Sequence, residues 1–177
     1  MQSEWACRTA TSKDYPELAR LETTAFTQLG VKYYPLIDIQ VALGSLDGLS
    51  LPLIEEGHYF VLTNKPGKII ASGGWSQAKP SYESHYSFSV DLEVQREASV
   101  RCVYVDPEFS GQGYAKIIMQ KVEENAKLLG ISRLKLLSSK TAFYLYRSVG
   151  FIEEKDCDIQ LSNGNSITLH QMHKWIF

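Results

Sequence analysis

The sequence predicts an α/β fold, an α+β arrangement in which a mixed sheet carries helices, and three observations carry that reading. Turn signals flanked by β-prone runs stand towards both ends, at Asn64-Lys65-Pro66-Gly67 and Ser162-Asn163-Gly164-Asn165. Between them lies a strand–helix–strand unit, which together with those hairpins points to a mixed sheet. The composition is that of an ordinary folded domain, with 44% apolar and 21% charged residues. At 177 residues, one domain covering positions 1–177 is expected, and a chain of this size buries roughly 70% of its unfolded surface without metal or disulfide staples.

Taken in order, Trp5 to Arg8 reads as a short strand, and Thr11 followed by Asp14 resembles a helix-start box. Tyr15, Leu18, Leu21 or Ala25, and Leu29 recur at helical spacing, and Gly30 fits the stop. Pro35 opens a second short helix to about Gly44, because its missing N–H costs nothing at the first position. Leu46 to Gly57 reads as loop. His58 to Thr63 and Lys68 to Trp75 form a hairpin, with Pro66 presetting the first corner and Gly67 accepting positive φ. Gln77 to Ser99 is polar and poorly periodic, and long irregular segments in compact domains are often functional.

Val100 to Val105 is strongly β-prone, and Gln112 to Leu129 turns helical. Ala115, Ile118, Val122, Ala126 and Leu129 line one face of that helix, Glu123 and Lys127 pair on the other, and Gly130 ends it. Arg133 to Leu137 is a strand, and Thr141 to Val149 a short helix closed by Gly150. Asp158 to Leu161 and Ile167 to Met172 make the last hairpin.

Charge and cysteine usage narrow the function classes. The net charge is -2 with no long basic run, so no nucleic-acid partner is expected. Cys7, Cys102 and Cys157 form no CxxC pair, so neither a metal site nor a disulfide framework is suggested. Cys102, inside an apolar run, reads as a small core residue rather than a nucleophile. Met1 to Arg8 lacks the pattern of a signal peptide, and no apolar run approaches the ~18 residues of a membrane span, so a cytoplasmic protein without a membrane partner is expected.

The decisive segment runs from Val103 through Tyr104, Val105, Asp106-Pro107, Ser110, Gly111, Gln112, Gly113 and Tyr114 to Ala115 and Lys116. A strand ends, a turn comes next, and a glycine loop opens a helix. The first N–H groups of a helix lack partners and sit at the positive end of its dipole. Glycines let them curl about an anion, so phosphate or diphosphate is a natural guest. On the loop alone, a plain tight turn stays equally open. The P-loop pattern fails, because Lys116 lies between Ala115 and Ile117. The dinucleotide fingerprint fails too: Lys116 stands in its third glycine position, and Ile131 to Leu137 contains no acid.

The segment resembles the acetyl-CoA-binding motif of the GNAT superfamily of N-acetyltransferases, Gln/Arg-x-x-Gly-x-Gly/Ala, on Ser110, Gly113 and Ala115. A second landmark of that family, Ala-x-x-x-Tyr-x-x-x-Gly-Phe, matches Ala142 to Phe151, with Tyr146 at its tyrosine. The order of elements is similar from about Arg8 to Lys174. The resemblance implies a GNAT-like mixed sheet of about seven strands with helices on both faces. It also implies acetyl-CoA as co-substrate, without a metal, and direct attack by a primary amine of a small molecule or peptide. Family members often form homodimers. Val103, Tyr104 and Val105 would pair with the pantetheine arm as an added strand does. Ser110, Gly111, Gln112, Gly113, Tyr114 and Ala115 would hold the diphosphate. Lys116 would add a charge, or serve as a solvated helix lysine. Tyr146 would protonate the departing thiolate.

Two positions depart from the family: Ser110 replaces Gln or Arg, and Ser99 stands where many relatives carry a glutamate. The rival reading is therefore a non-catalytic acyl-CoA-binding module. Candidate bases are Glu83, His85, Asp91, Glu93 and Glu97, each of which alone reads as a solvated loop residue. Against Arg96, their acidic excess favours a cationic amine as acceptor. His170 and His173 sit on a strand and read as structural.

Overall fold

The computed structural model describes residues 5–46, 48–79 and 96–177. Strand β1 (Trp5–Thr9) leads through one 3-10 turn into helix α1 (Tyr15–Gly30). The start of α1 is pinned by Asp14, whose carboxylate accepts the Thr11 N–H at 2.8 Å and both terminal nitrogens of Arg8 at 2.8 Å. Helices α2 (Leu36–Ser45) and α3 (Leu51–Glu55) come next. α3 corrects the expectation of a loop from Leu46 to Gly57. Ser50 caps it by accepting the Leu53 N–H, Pro52 sits in its first turn, and Leu53 and Ile54 are buried beneath it. A single turn is too short to show a helical period.

Strands β2 (Tyr59–Asn64) and β3 (Ile69–Ser76) form the first hairpin. Its turn differs from expectation in one respect. Asn64 O accepts the Gly67 N–H, which puts Pro66 in the third position behind a cis bond, and Gly67 carries the positive φ. Strand β4 (Glu97–Val105) starts three residues earlier than its apolar run suggests, because Glu97 to Ser99 pair with β5 (Arg133–Ser138). Helix α4 (Tyr114–Leu128) joins the two, α5 (Phe143–Ser148) succeeds β5, and β6 (Ile152–Gln160) pairs with β7 (Ser166–Trp175). These last strands outrun the sequence expectation because residues well beyond the apolar runs still find ladder partners.

The seven strands lie in the order β1-β2-β3-β4-β5-β7-β6, and only β4 and β5 run parallel. Helices cover both faces, as expected. On one, α4 presents Ile118, Met119, Val122 and Ala126 to Phe60, Leu62, Ile70 and Val100, and α5 adds Tyr146. Leu129 lies outside this stripe, more than half exposed at the helix end. On the other face Leu18 and Leu21 of α1 and Leu53 and Ile54 of α3 pack on Tyr59 and Val61. Ile39 and Ala42 of α2 pack on Ile159, Ile167 and Leu169. Fully burying one such side chain stabilises by about 1.5–3 kcal/mol, which is what holds these short helices on the sheet.

Two irregularities of β4 shape the site. First, its parallel pairing with β5 ends at Ser99↔Lys135, whereas β5 pairs on with β7 to Ser138↔His170. Beyond Ser99 the sheet is split. Second, β4 carries a bulge: Ser72 pairs with Tyr104 and Gly74 with Arg101, so Cys102 and Val103 oppose Gly73 alone. Cys102 has φ 51, the left-handed region. The expected core residue is thus a half-buried bulge residue whose carbonyl accepts the Tyr59 hydroxyl at 2.7 Å. The bulge also shifts the side-chain alternation. Ala98 and Val100 face α4 before it, Val103 and Val105 after it, while Cys102 and Tyr104 join the α1 side.

Candidate functional site

The glycine loop stands at the mouth of the split. Asp106 opens its turn by accepting the Glu108 N–H and pairing with Lys68 at 2.7 Å. Phe109 and Tyr114 meet edge to face, 6.4 Å between ring centres, across the loop. Gly111 has φ 77 and Gly113, the residue before α4, φ 88 with ψ 1. Such left-handed residues turn successive N–H groups to one side, the geometry of an anion nest. Ser110 N–H is taken by Pro107 O and Lys116 N–H by Gly113 O. Among the described residues, nothing accepts from the N–H of Gly111, Gln112, Gly113, Tyr114 or Ala115. A Cβ built on Gly111 or Gly113 meets nothing within 4 Å, so the space before these amides is open. The donor set therefore fits a diphosphate: five N–H groups, a helix N-terminus and no side chain in the way.

A cleft of ≈ 660 Å³ runs from this loop along the split. Of the sequence-predicted residues, Val103, Tyr104, Val105, Ser110, Gly111, Gly113, Tyr114, Ala115 and Lys116 line it. Gln112 does not; it is exposed and turned out of the wall. The cleft is also walled by Lys32 and Tyr33, in the turn after α1, and by Ser139, Thr141 and Ala142 before α5. Ala142 opens the second landmark read from the sequence; sequence reasoning does not find Lys32, Tyr33, Ser139 or Thr141, since nothing local marks them.

A second, smaller cavity of ≈ 150 Å³ shares the walls Val103, Tyr104, Ser139 and Ala142 and opens on the α1 and α2 side. Tyr146 lines this cavity rather than the cleft, and is buried with its ring 5.7 Å from Phe151. The remaining wall is largely apolar, including Phe26, Ala42, Leu137 and Ile167, and carries Glu22 and Arg101. Glu22 Oε1 accepts the Tyr104 hydroxyl and the Leu49 N–H, both at 3.1 Å. Burial pushes its pKa up from the usual glutamate value, against those two hydrogen bonds. Burial also holds the Tyr104 phenol well above its ordinary range, so it stays a donor. Glu22 escapes a sequence reading because a glutamate beside Leu21 in an amphipathic helix reads as solvated. Arg101 offers a clearer signal, a cation interrupting an apolar β-run.

The expected bases fare differently. Glu97 is held by Arg133 at 3.1 Å and Lys135 at 2.8 Å and does not line either space. Glu83, His85, Asp91 and Glu93 lie outside the described residues. Ser99 is buried in the ladder opposite Lys135. His170 pairs with Asp156 at 2.6 Å and His173 with Glu154 at 2.7 Å, on the β6–β7 hairpin and off both cavities. No helix of the described residues is long and apolar enough to cross a membrane.

Comparison with known proteins bears on this geometry. The family model described as "Acetyltransferase (GNAT) domain" matches residues 55–153. An uncharacterized N-acetyltransferase of Bacillus subtilis (strain 168), YdgE, is 31% identical over 98 residues, 53% of this chain. That alignment spans 55%, about half, of the relative's length. Among solved structures, a GCN5-related N-acetyltransferase from Rhodopseudomonas palustris superposes with TM-score 0.72 at 15% identity, covering 99% of this chain and 98% of that one. The PaiA N-acetyltransferase from Thermoplasma acidophilum, in complex with coenzyme A, gives 0.71 at 14%, covering 98% and 99%. With its split seven-stranded sheet and the match over more than half of its length, the chain belongs to the GNAT acetyltransferase family.

Proposed function

We propose that the protein is an acetyl-CoA-dependent N-acetyltransferase that moves an acetyl group to a primary amine by direct attack in a ternary complex. The observation that carries this is the row of unaccepted N–H groups from Gly111 to Ala115 at the mouth of the split. Coenzyme A is bound by the PaiA structure, and the cleft here offers matching chemistry. The Gly111–Ala115 amides receive the diphosphate, with Lys116 and Lys32 on its flanks. Backbone groups of Val103 to Val105, unpaired on the β5 side, receive the amide-bearing arm as a neighbouring strand would.

Acetyl-CoA supplies the activated acyl group and a thiolate leaving group. The chain must supply a neutral amine, a polarised carbonyl and a proton. An alkyl ammonium has a pKa of about 10, so the amine needs a base. Glu22 takes that role: it is the one carboxylate among the described residues lining the smaller cavity, and burial moves its pKa upward, towards the operating pH. N–H groups of β4 at the split polarise the carbonyl oxygen. Tyr146, in the wall of the same cavity, returns a proton to the thiolate.

The test is thiol release from acetyl-CoA with an amine panel, run on the wild type and on Tyr146→Phe. Loss of general acid catalysis lowers kcat by roughly 10²- to 10⁴-fold, with acetyl-CoA affinity unchanged by calorimetry. An unchanged kcat removes Tyr146 from the chemistry. Binding of acetyl-CoA with no turnover on any amine would favour a non-catalytic acyl-CoA-binding module instead.

A further inference from the structure

Arg101 is 7% exposed, and among the described residues it has no hydrogen-bond or ion-pair partner. Its guanidinium nitrogens still reach accessible space at the wall of the smaller cavity, so the charge is held among buried neighbours yet open to an anionic partner entering there. The rest of that wall says what the partner is. Among the described residues lining it, Arg101 is the one cation and Glu22 the one anion, and the remainder is apolar or hydroxylic. Glu22 does not neutralise Arg101; its bonds run to Leu49 N–H and Tyr104 O–H. A guanidinium presents five donors in a planar fork that matches a carboxylate, and such bonds are about twice as strong as neutral ones.

We propose that Arg101 anchors a carboxylate of the acceptor, so that the acceptor is a small amino acid or a compound ending in the same amine-and-carboxylate pair. This rests on the acetyl-transfer reading above and adds the substrate class to it. The cavity supports the assignment in size as well as charge. Its ≈ 150 Å³ equals roughly five water volumes at ~30 Å³ each, enough for an amino-acid head group and not for a folded protein surface. The amine end lies towards Glu22 and Tyr146, and the carboxylate end meets Arg101. The proposal opposes the sequence expectation of a cationic amine over an acidic acceptor, which drew on Glu83, Asp91 and Glu93, outside the described residues, and on Glu97, which Arg133 and Lys135 hold.

The experiment uses the full chain. Acetyl-CoA binding is first measured by calorimetry; if the wild type does not bind it, the acetyl-transfer reading itself fails. Thiol release is then compared for the common amino acids, each beside its carboxamide, with polyamines as a third arm. The expected result is a kcat/KM preference of tenfold or more for at least one free acid over its amide. Arg101→Met brings that ratio to about one, Arg101→Lys keeps part of it, and neither changes acetyl-CoA affinity. Melting is the second measurement. Without acceptor, Arg101→Met melts close to the wild type, because Arg101 has no hydrogen-bond or ion-pair partner among the described residues to lose. With coenzyme A present, the preferred amino acid raises the melting temperature of the wild type and not of Arg101→Met. Equal use of acids and amides, a preference that survives in Arg101→Met, or a large loss of stability in that variant each overturns the proposal. So does an acetyl-CoA-binding wild type that neither turns over nor is stabilised by any amino acid.

Discussion

Gly113→Ala separates what the glycine loop does for the fold from what it does for a ligand. Gly113 has φ 88, and a Cβ there touches no protein atom within 4 Å, so alanine meets no steric neighbour in the free protein. What it meets is its own backbone, since a left-handed residue other than glycine costs about 1–2 kcal/mol. For a chain of this size that lowers Tm by roughly 2–8 °C. Gly164 supplies a matched control. It has φ 85 and equally open surroundings, in the β6–β7 turn and outside both cavities. The two alanine variants should therefore lose similar stability in thermal melts without ligand. Acetyl-CoA titrated by calorimetry should tell them apart. Gly164→Ala binds as the wild type does, whereas Gly113→Ala binds at least tenfold more weakly, about 1.4 kcal/mol. Its methyl group occupies the space in front of the free amides. Equal affinity in the two variants would refute the reasoning, because the diphosphate would then lie elsewhere.

The other predictions concern charge. Glu22→Gln keeps an oxygen for the Leu49 and Tyr104 donors, so melting should be little changed while kcat falls by roughly 10²- to 10⁴-fold. The wild-type kcat/KM should drop on the acid side at a pH above the ordinary glutamate range, as Glu22 takes up a proton. Unaltered kcat in the variant removes Glu22 as the base. Asp14 tests the fold alone. The hydrogen-bonded Arg8 guanidinium is the main cause that lowers its pKa to about 2. A carboxyl depressed in the folded state stabilises above its unfolded pKa and loses that contribution as pH falls from about 4 through 2. Arg8 is half exposed, so after solvent screening the contribution is on the order of 1 kcal/mol. Asp14→Asn should lower Tm at pH 7 and converge with the wild type near pH 2; a constant gap across that range would contradict the assignment.

The parts legible in the sequence are those governed by neighbours in the chain. Gly111-Gln112-Gly113 ahead of a helical period allowed amides to curl about an anion, with a plain tight turn equally open, and Pro35 and Gly130 marked helix ends. What was not legible depends on contacts between distant segments. The bulge at Cys102 arises from how β4 meets β3, and no residue type announces it. Helix α3 is one capped turn held by burial of Leu53 and Ile54, too short to carry a period. Glu97 reads as a loop acid until Arg133 and Lys135 are brought against it. Glu22 and Arg101 stand 79 positions apart, and only the packing of α1 over β4 gives them a common cavity.

In an unbroken strand, positions three apart face opposite ways, and Arg101 and Tyr104 would be separated by the thickness of the sheet. The doubled residue opposite Gly73 cancels that alternation. The same frame binds the two halves of the site to one another. An insertion or deletion of one residue between Glu97 and Arg101 would send the guanidinium into the α4 core, whereas a point replacement leaves the frame untouched. On the acceptor reading proposed above, preference is open to change by substitution, and closed to change by altering the length of the central strand.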